Sequence, residues 1–308
     1  MRNVYLGTSD FAATVLAMLL DSQHAPSLVV TRPARPKGRG KKLQDPPVAD
    51  LANERGIAVF QPESVNDSDA VERVAAENPG AITVCAFGAI VKEPLLSMAP
   101  SFNVHPSLLP RWRGAAPVER AIQAGDAATG VTIMRLVEEL DAGPMCAQES
   151  LTIGPEDDYG TLAPQLAEIG GRMLVEALTA ADAGSGVWTE QLEGRDESEI
   201  TYAEKIVRED RVLQPRAQTA QQLALTIRAL TPHIGAIFET AGGDPLRVEQ
   251  ARASDRTLEP GTAAAQGGRL FIGTTDMTLE LLRVRPAGGK TMDVESFLRG
   301  NDAPEILH

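Results

Sequence analysis

Cysteine is scarce: there are two in 308 residues, Cys85 and Cys146. Both sit in apolar, strand-like runs, so two buried thiols in a reducing compartment are expected rather than a disulfide framework. Histidine is nearly as rare. His24, His105, His233 and His308 show no metal-ligand spacing, and no metal is expected. No apolar run approaches the ~18 residues that suggest a membrane-crossing helix. Met1-Arg-Asn-Val-Tyr-Leu-Gly7 enters a strand directly, without the charged segment and apolar stretch of a secretory leader. A cytoplasmic protein without a membrane partner is expected. Internal repeats and low-complexity tracts are also missing. So is the Gly-x-Gly-x-x-Gly turn of a dinucleotide fold. The first strand runs instead into Gly7-Thr-Ser-Asp-Phe-Ala12, which argues against NAD.

What is present is an ordinary globular composition, 43% hydrophobic, long enough for two domains. The net charge of −13 argues at first against a nucleic-acid partner. Its distribution is uneven. Residues 208–308 hold 12 Lys/Arg against 13 Asp/Glu, and residues 1–207 hold 17 against 29. Within that acidic part, Arg32 to Lys42 carries six basic residues and no acid. With two prolines and two glycines it reads as a loop, either a solvated surface loop or an arm for a polyanion.

Hydrophobic periodicity predicts strand, helix, strand over residues 3–8, 10–20 and 27–31, the opening of a parallel α/β sheet. Further strands are expected at 57–60, 81–87, 131–136 and 145–149. Helices are expected at 46–55, 67–77, 116–124 and 159–182. Residues 187–206 are polar and weakly patterned. A helix at 218–230 then leads to short strands at 236–239, 246–253, 261–265, 269–274 and 278–285, the spacing of a small barrel or sandwich.

The chemistry concentrates in Asn103-Val-His-Pro-Ser-Leu-Leu-Pro-Arg-Trp-Arg-Gly-Ala-Ala-Pro117. Side chains two apart on a strand share a face. Asn103 and His105 therefore point the same way where the chain breaks at Pro106. An amide beside an imidazole there can serve an oxyanion and a moving proton. Taken singly, each has a plainer reading: Asn103 as a turn cap, His105 as a structural histidine, Asp141 as a turn residue.

This stretch resembles the signature of the folate-dependent formyltransferases, in particular of those that act on charged initiator tRNA. The resemblance covers nearly the whole chain. It includes Gly7-Thr-Ser-Asp-Phe-Ala12, Gly38-Arg-Gly-Lys-Lys-Leu43, Thr129-Gly-Val-Thr-Ile-Met134, Leu140-Asp-Ala-Gly143 and Tyr202-Ala-Glu-Lys-Ile206. It implies a Rossmann-like, mostly parallel α/β domain over 1–188, a linker over 189–206, and a small C-terminal β-barrel, OB-like, over 207–308 that binds tRNA. It implies transfer of the formyl group of 10-formyltetrahydrofolate to the α-amine of methionine on initiator tRNA, for translation initiation, by a monomer. Asn103, His105 and Asp141 would be the catalytic residues. Phe87, Ala89, Ile90, Val91, Ser107, Leu108, Leu109, Pro110, Leu136, Glu138 and Leu140 would line the folate slot. Arg35, Lys37, Arg39, Lys41 and Lys42 would form an arm against the acceptor stem. A sugar-nucleotide N-formyltransferase with the same donor and triad is the alternative in the same class. A catalytically silent RNA- or folate-binding protein of the same fold is the alternative outside it. The sequence departs from the family at Phe87, often Tyr, at Pro144, and at Thr231-Pro-His-Ile-Gly-Ala236, where the family is more aromatic.

Overall fold

The computed structural model describes residues 1–37 and 42–307. Two compact units emerge, and they interleave along the chain. The first comprises Met1–Pro117, Ala128–Thr152 and Ala163–Ala203; the second comprises Val118–Ala127, Ile153–Leu162 and Glu204–His308. No helix of the described residues is long and apolar enough to cross a membrane.

The first unit is built on a seven-stranded sheet. Its order is Met145–Thr152, Ala128–Met134, Ser101–His105, Ala81–Cys85, Asn3–Gly7, Leu28–Val30, Ala58–Phe60. The strands from Ser101–His105 to Ala58–Phe60 are parallel; Ala128–Met134 runs antiparallel to them, and Met145–Thr152 runs antiparallel to Ala128–Met134. Asn3–Gly7, Leu28–Val30, Ala81–Cys85 and Ser101–His105 are buried throughout, as strands covered on both faces must be. The helix Asp10–Leu20 starts where Ser9 accepts the amide of Ala12, which satisfies one of the donors a helix start leaves open. Strand order reverses between Asn3–Gly7 and Ala81–Cys85. In open α/β sheets the crevice at such a reversal, beyond the carboxyl ends, is where ligands bind. Here that edge carries Thr8, whose hydroxyl donates to the Phe87 carbonyl at 2.9 Å.

Three sequence expectations change. The strand expected over 81–87 ends at Cys85, because Ala86 turns left-handed (φ 43°). The stretch read as a loop after Arg32 contains a two-stranded antiparallel hairpin, Arg35–Lys37 with Lys42–Gln44. The polar stretch expected as a linker is structured through Ala203. Thr201 and Tyr202–Ala203 are held against Trp112 to Ala116 by backbone hydrogen bonds and a short parallel pair. The two thiols are free. Burial pushes the Cys85 thiol up to about 12 and that of half-buried Cys146 up to about 11, which favours the thiol over the thiolate in both.

The second unit centres on a six-stranded antiparallel sheet. Ala236–Phe238, Leu246–Ser254, Thr278–Arg285, Arg269–Gly273 and Ala263–Gln266 follow one another across it, and Met292–Asp293 pairs with Thr278–Arg285. The helix Ala220–Leu230 packs on it, started by a reciprocal cap between Thr219 and Gln222. The His233 imidazole stacks on Tyr159, with ring centroids 3.6 Å apart, and its Nε2 lies 3.0 Å from Glu119 Oε1, so ring and polar edge are both engaged.

Glu280 is almost completely buried between Arg269 (2.6 Å) and Arg252 (2.8 Å), which hold its carboxyl down at about 2. A depressed acid stabilises the fold above its unfolded value and loses that contribution as pH falls through the folded one. Acid unfolding of this unit is therefore expected to steepen between about pH 4.5 and pH 2. Glu280→Gln should flatten that limb in circular-dichroism titrations; an unchanged limb would count against the ion pair.

Candidate active site

The carboxyl end of Ser101–His105 presents the two residues that alternation singled out. Asn103 pairs in register with Met134 and His105 with Thr132. Both side chains are largely buried. His105 Nε2 lies 2.9 Å from the carbonyl oxygen of Trp112. A carbonyl can only accept, so Nε2 carries a proton and Nδ1 is the nitrogen left for chemistry. Nδ1 faces Asp141 Oδ2 at 3.7 Å. The same oxygen accepts the amide of Gly114 at 2.8 Å. One short loop thus holds both partners: Trp112 aims a carbonyl at the imidazole and Gly114 aims an N–H at the carboxylate.

This arrangement bends the backbone out of its ordinary regions. Trp112 (φ 65°) and Asp141 (φ 47°) are left-handed, as is Ala86 at the neighbouring strand end. Such residues cost of order 1–3 kcal/mol each and persist where the surroundings over-determine them. The restraint on Trp112 is visible. Its N–H donates to Thr201 Oγ1 at 2.9 Å, and the Arg111 guanidinium lies 4.4 Å above its ring. Gly114 (φ 126°) has no room for a side chain, since a Cβ would come within 2.6 Å of the Ala203 carbonyl oxygen.

The proline-rich loop is fixed from beneath. Ser107 donates to the Arg111 carbonyl at 2.6 Å. Thr132 Oγ1 donates to the Ser107 carbonyl at 2.7 Å and accepts the Leu109 amide at 3.2 Å. Gln148 and Arg195 both donate to the Leu109 carbonyl at 2.9 Å, just before the cis Leu109–Pro110 bond. Gly130 beneath the loop has no room for a side chain, because a Cβ there would meet the Glu149 carbonyl oxygen of the neighbouring strand at 2.1 Å and Leu108 Cδ2 at 2.5 Å.

The expected folate residues divide. Phe87 is buried in the core cluster of the sheet, and Val91 and Leu136 pack against that cluster. Ser107, Leu109 and Pro110 are also buried, with Ser107 engaged in the loop's own bonds. Leu108 is half-buried. Ala89, Ile90, Glu138 and Leu140 are exposed, so Ile90 and Leu140 offer uncovered apolar side chains on the two loops flanking the strand ends. In the basic arm, Arg35 and Lys42 are exposed on the hairpin, and the backbone of Lys37 pairs with Lys42. Arg39 and Lys41 lie outside the described residues. Among the described residues no group of three His, Cys, Asp or Glu side chains converges as a metal site would.

Sequence reasoning passed over Gln191 and Arg195, which lie in a stretch without periodicity and reach the site only through tertiary contacts. Thr132 and Gln148 face it by strand alternation, a signal that was available.

An α/β sheet with an amide, an imidazole and a carboxylate gathered at its carboxyl edge can stabilise an oxyanion and move a proton, the needs of a one-carbon acyl transfer. The chain belongs to the formyl transferase family. The model of the formyl transferase domain matches residues 1–178, and that of the formyl transferase C-terminal domain matches 205–302. It is 40% identical over 303 residues to the methionyl-tRNA formyltransferase of Methylobacillus flagellatus, covering 98% of this chain and 97% of that one. It is 41% identical over 308 residues to the methionyl-tRNA formyltransferase of Methylococcus capsulatus, covering 98% and 97%. An N-formyltransferase of Helicobacter canadensis, solved with folinic acid and dTDP-3-aminofucose, shares the fold. The two superpose with a TM-score of 0.65 at 15% identity, over 91% of this chain and 98% of that one. This family draws its formyl group from a folate.

Proposed function

We propose that this chain transfers the formyl group of 10-formyltetrahydrofolate to the α-amine of methionine on initiator tRNA. Near-full-length identity of about 40% to relatives named for that reaction carries the reading. The juxtaposition of Asn103, His105 and Asp141 supplies its chemistry. The neutral amine attacks the formyl carbon and the formyl oxygen becomes an oxyanion. The Asn103 amide donates to that oxygen. With Nε2–H committed to Trp112, protonated His105 offers Nδ1–H to the same oxygen. Asp141 balances the imidazolium and accepts the proton that the amine sheds, directly or through a water. Collapse of the intermediate breaks the bond from the formyl carbon to the folate nitrogen, which takes up the proton held by Asp141 as it leaves, so the carboxylate returns to its starting state. The loops at 86–91 and 136–141 line the folate slot in this reading, with Ile90 and Leu140 as its uncovered apolar contacts.

The test is a formylation assay with 10-formyltetrahydrofolate, comparing charged initiator tRNA with amino-sugar nucleotides. Product on methionyl-tRNA supports the assignment; product only on a sugar nucleotide would sink it. The hairpin arm has its own signature. Each phosphate neutralised adds roughly −0.7 to −0.9 to the log–log salt slope of binding. Neutralising Lys37, Arg39, Lys41 and Lys42 together should raise the KM for tRNA and flatten its salt dependence, with folate affinity kept. An unchanged slope would refute the arm.

A further inference from the structure

We propose that Gln191 is a positioning residue for Asp141, holding the carboxylate in register with His105. The inference rests on the formyl-transfer reading above and adds a residue outside every motif that led to it. Gln191 is 2% exposed. Its Nε2 donates to the carbonyl of Asp141 at 2.7 Å and to that of Gly143 at 2.9 Å. Its Oε1 accepts from Arg113 twice, from Nε at 3.1 Å and from Nη2 at 2.9 Å. All four hydrogen-bonding positions of the amide are used. Only one orientation is possible, since the flipped amide would set its oxygen against two carbonyls and its NH2 against a guanidinium.

Asp141 needs such a restraint. Arg135 N to Pro144 O at 2.9 Å closes the base of the turn that carries it, but near its tip the described backbone bond is the long one from Ala142 N to Glu139 O at 3.3 Å, and Asp141 itself is left-handed. Gln191 grips the carbonyls on either side of Ala142 and so fixes the plane from which the Asp141 side chain departs. Arg113 supplies the anchor. Its guanidinium is 4% exposed, and its charge is balanced by Glu139 at 3.0 Å on the same turn. The backbone of Arg113, meanwhile, lies between Trp112 and Gly114, the residues that hold His105 and Asp141. Gln191 therefore ties the carboxylate turn to the loop that orients the imidazole. Misplacing a catalytic group by about 1 Å can cost ~10²-fold in rate.

Two near-isosteric variants separate positioning from bulk. Gln191→Glu keeps the acceptor for Arg113 and removes both donated bonds; Gln191→Met removes all four. Each is expected to lower kcat for methionyl-tRNA by ~10- to 10²-fold with little change in either KM. The decisive measurement is a double-mutant cycle with Asp141→Asn. If Gln191 acts through Asp141, Gln191→Glu in the Asp141→Asn background costs no further activity. Additive losses, or a Gln191→Glu enzyme with wild-type kcat, would overturn the proposal. Wild-type activity on methionyl-tRNA is measured alongside. Its absence would count against the functional reading itself, whereas additivity in an active enzyme counts against Gln191 alone.

Discussion

His105→Ala is expected to lower kcat by ~10²- to 10³-fold, the usual loss for a donor to a developing oxyanion, with tRNA and folate binding close to wild type. The size follows from commitment of the ring: Nε2–H is spent on the Trp112 carbonyl, so the substitution removes Nδ1, the nitrogen that faces Asp141 and donates to the oxyanion in the proposed reaction. Single-turnover formylation, with tRNA affinity measured separately, distinguishes this from misfolding. A protein that only bound RNA or folate would show no difference between the two forms. Asn103→Ala is expected to fall in the same direction by the ~2.7–4 kcal/mol typical of one oxyanion donor. Retained turnover in the histidine variant would remove the triad from the mechanism.

Gly114→Ala is expected to damage activity and stability together. The residue sits at φ 126°, and an added Cβ would meet the Ala203 carbonyl oxygen at 2.6 Å, with no flexible side chain able to give way. The backbone must shift, and with it go the pairing to Tyr202–Ala203 and the amide bond to Asp141. Gly56→Ala is the control. Its φ is also positive, at 70°, but nothing lies within 4 Å of the added carbon. That variant isolates the cost of the conformation, about 1–2 kcal/mol. A lower thermal midpoint and at least a tenfold loss of kcat are expected for Gly114→Ala, against near-normal kcat for Gly56→Ala. Equal behaviour of the two would mean that the close approach to Ala203 does not matter.

Asn103 and His105 were readable from strand alternation before a break, because the period of two is a local property of the chain. The parallel sheet and the antiparallel second unit were readable for the same reason. Asp141 needed the family resemblance, since an acid before Ala-Gly looks like any turn. Gln191, Arg195 and Thr201 gave no local signal: they matter through contacts with residues 50 to 90 positions away. The left-handed turn at Ala86 was equally silent, because alanine ordinarily marks helix or strand. The hairpin after Arg32 was hidden by its composition. Lysine, proline and glycine disfavour strands, and its pairing is a matter of backbone register.

The short pairing of Tyr202–Ala203 with Arg113–Gly114 bears on how small a working enzyme of this kind can be made. A fragment trimmed just before residue 189 would keep Asn103, His105 and Asp141 and every strand of the large sheet. It would lose Gln191, the Thr201 hydroxyl that seats Trp112, and the carbonyl of Ala203 that accepts from Ala115 and Ala116. Such a truncation would hold the reactive groups without the scaffold that aims them. A fragment that keeps these contacts would therefore have to reach at least residue 203.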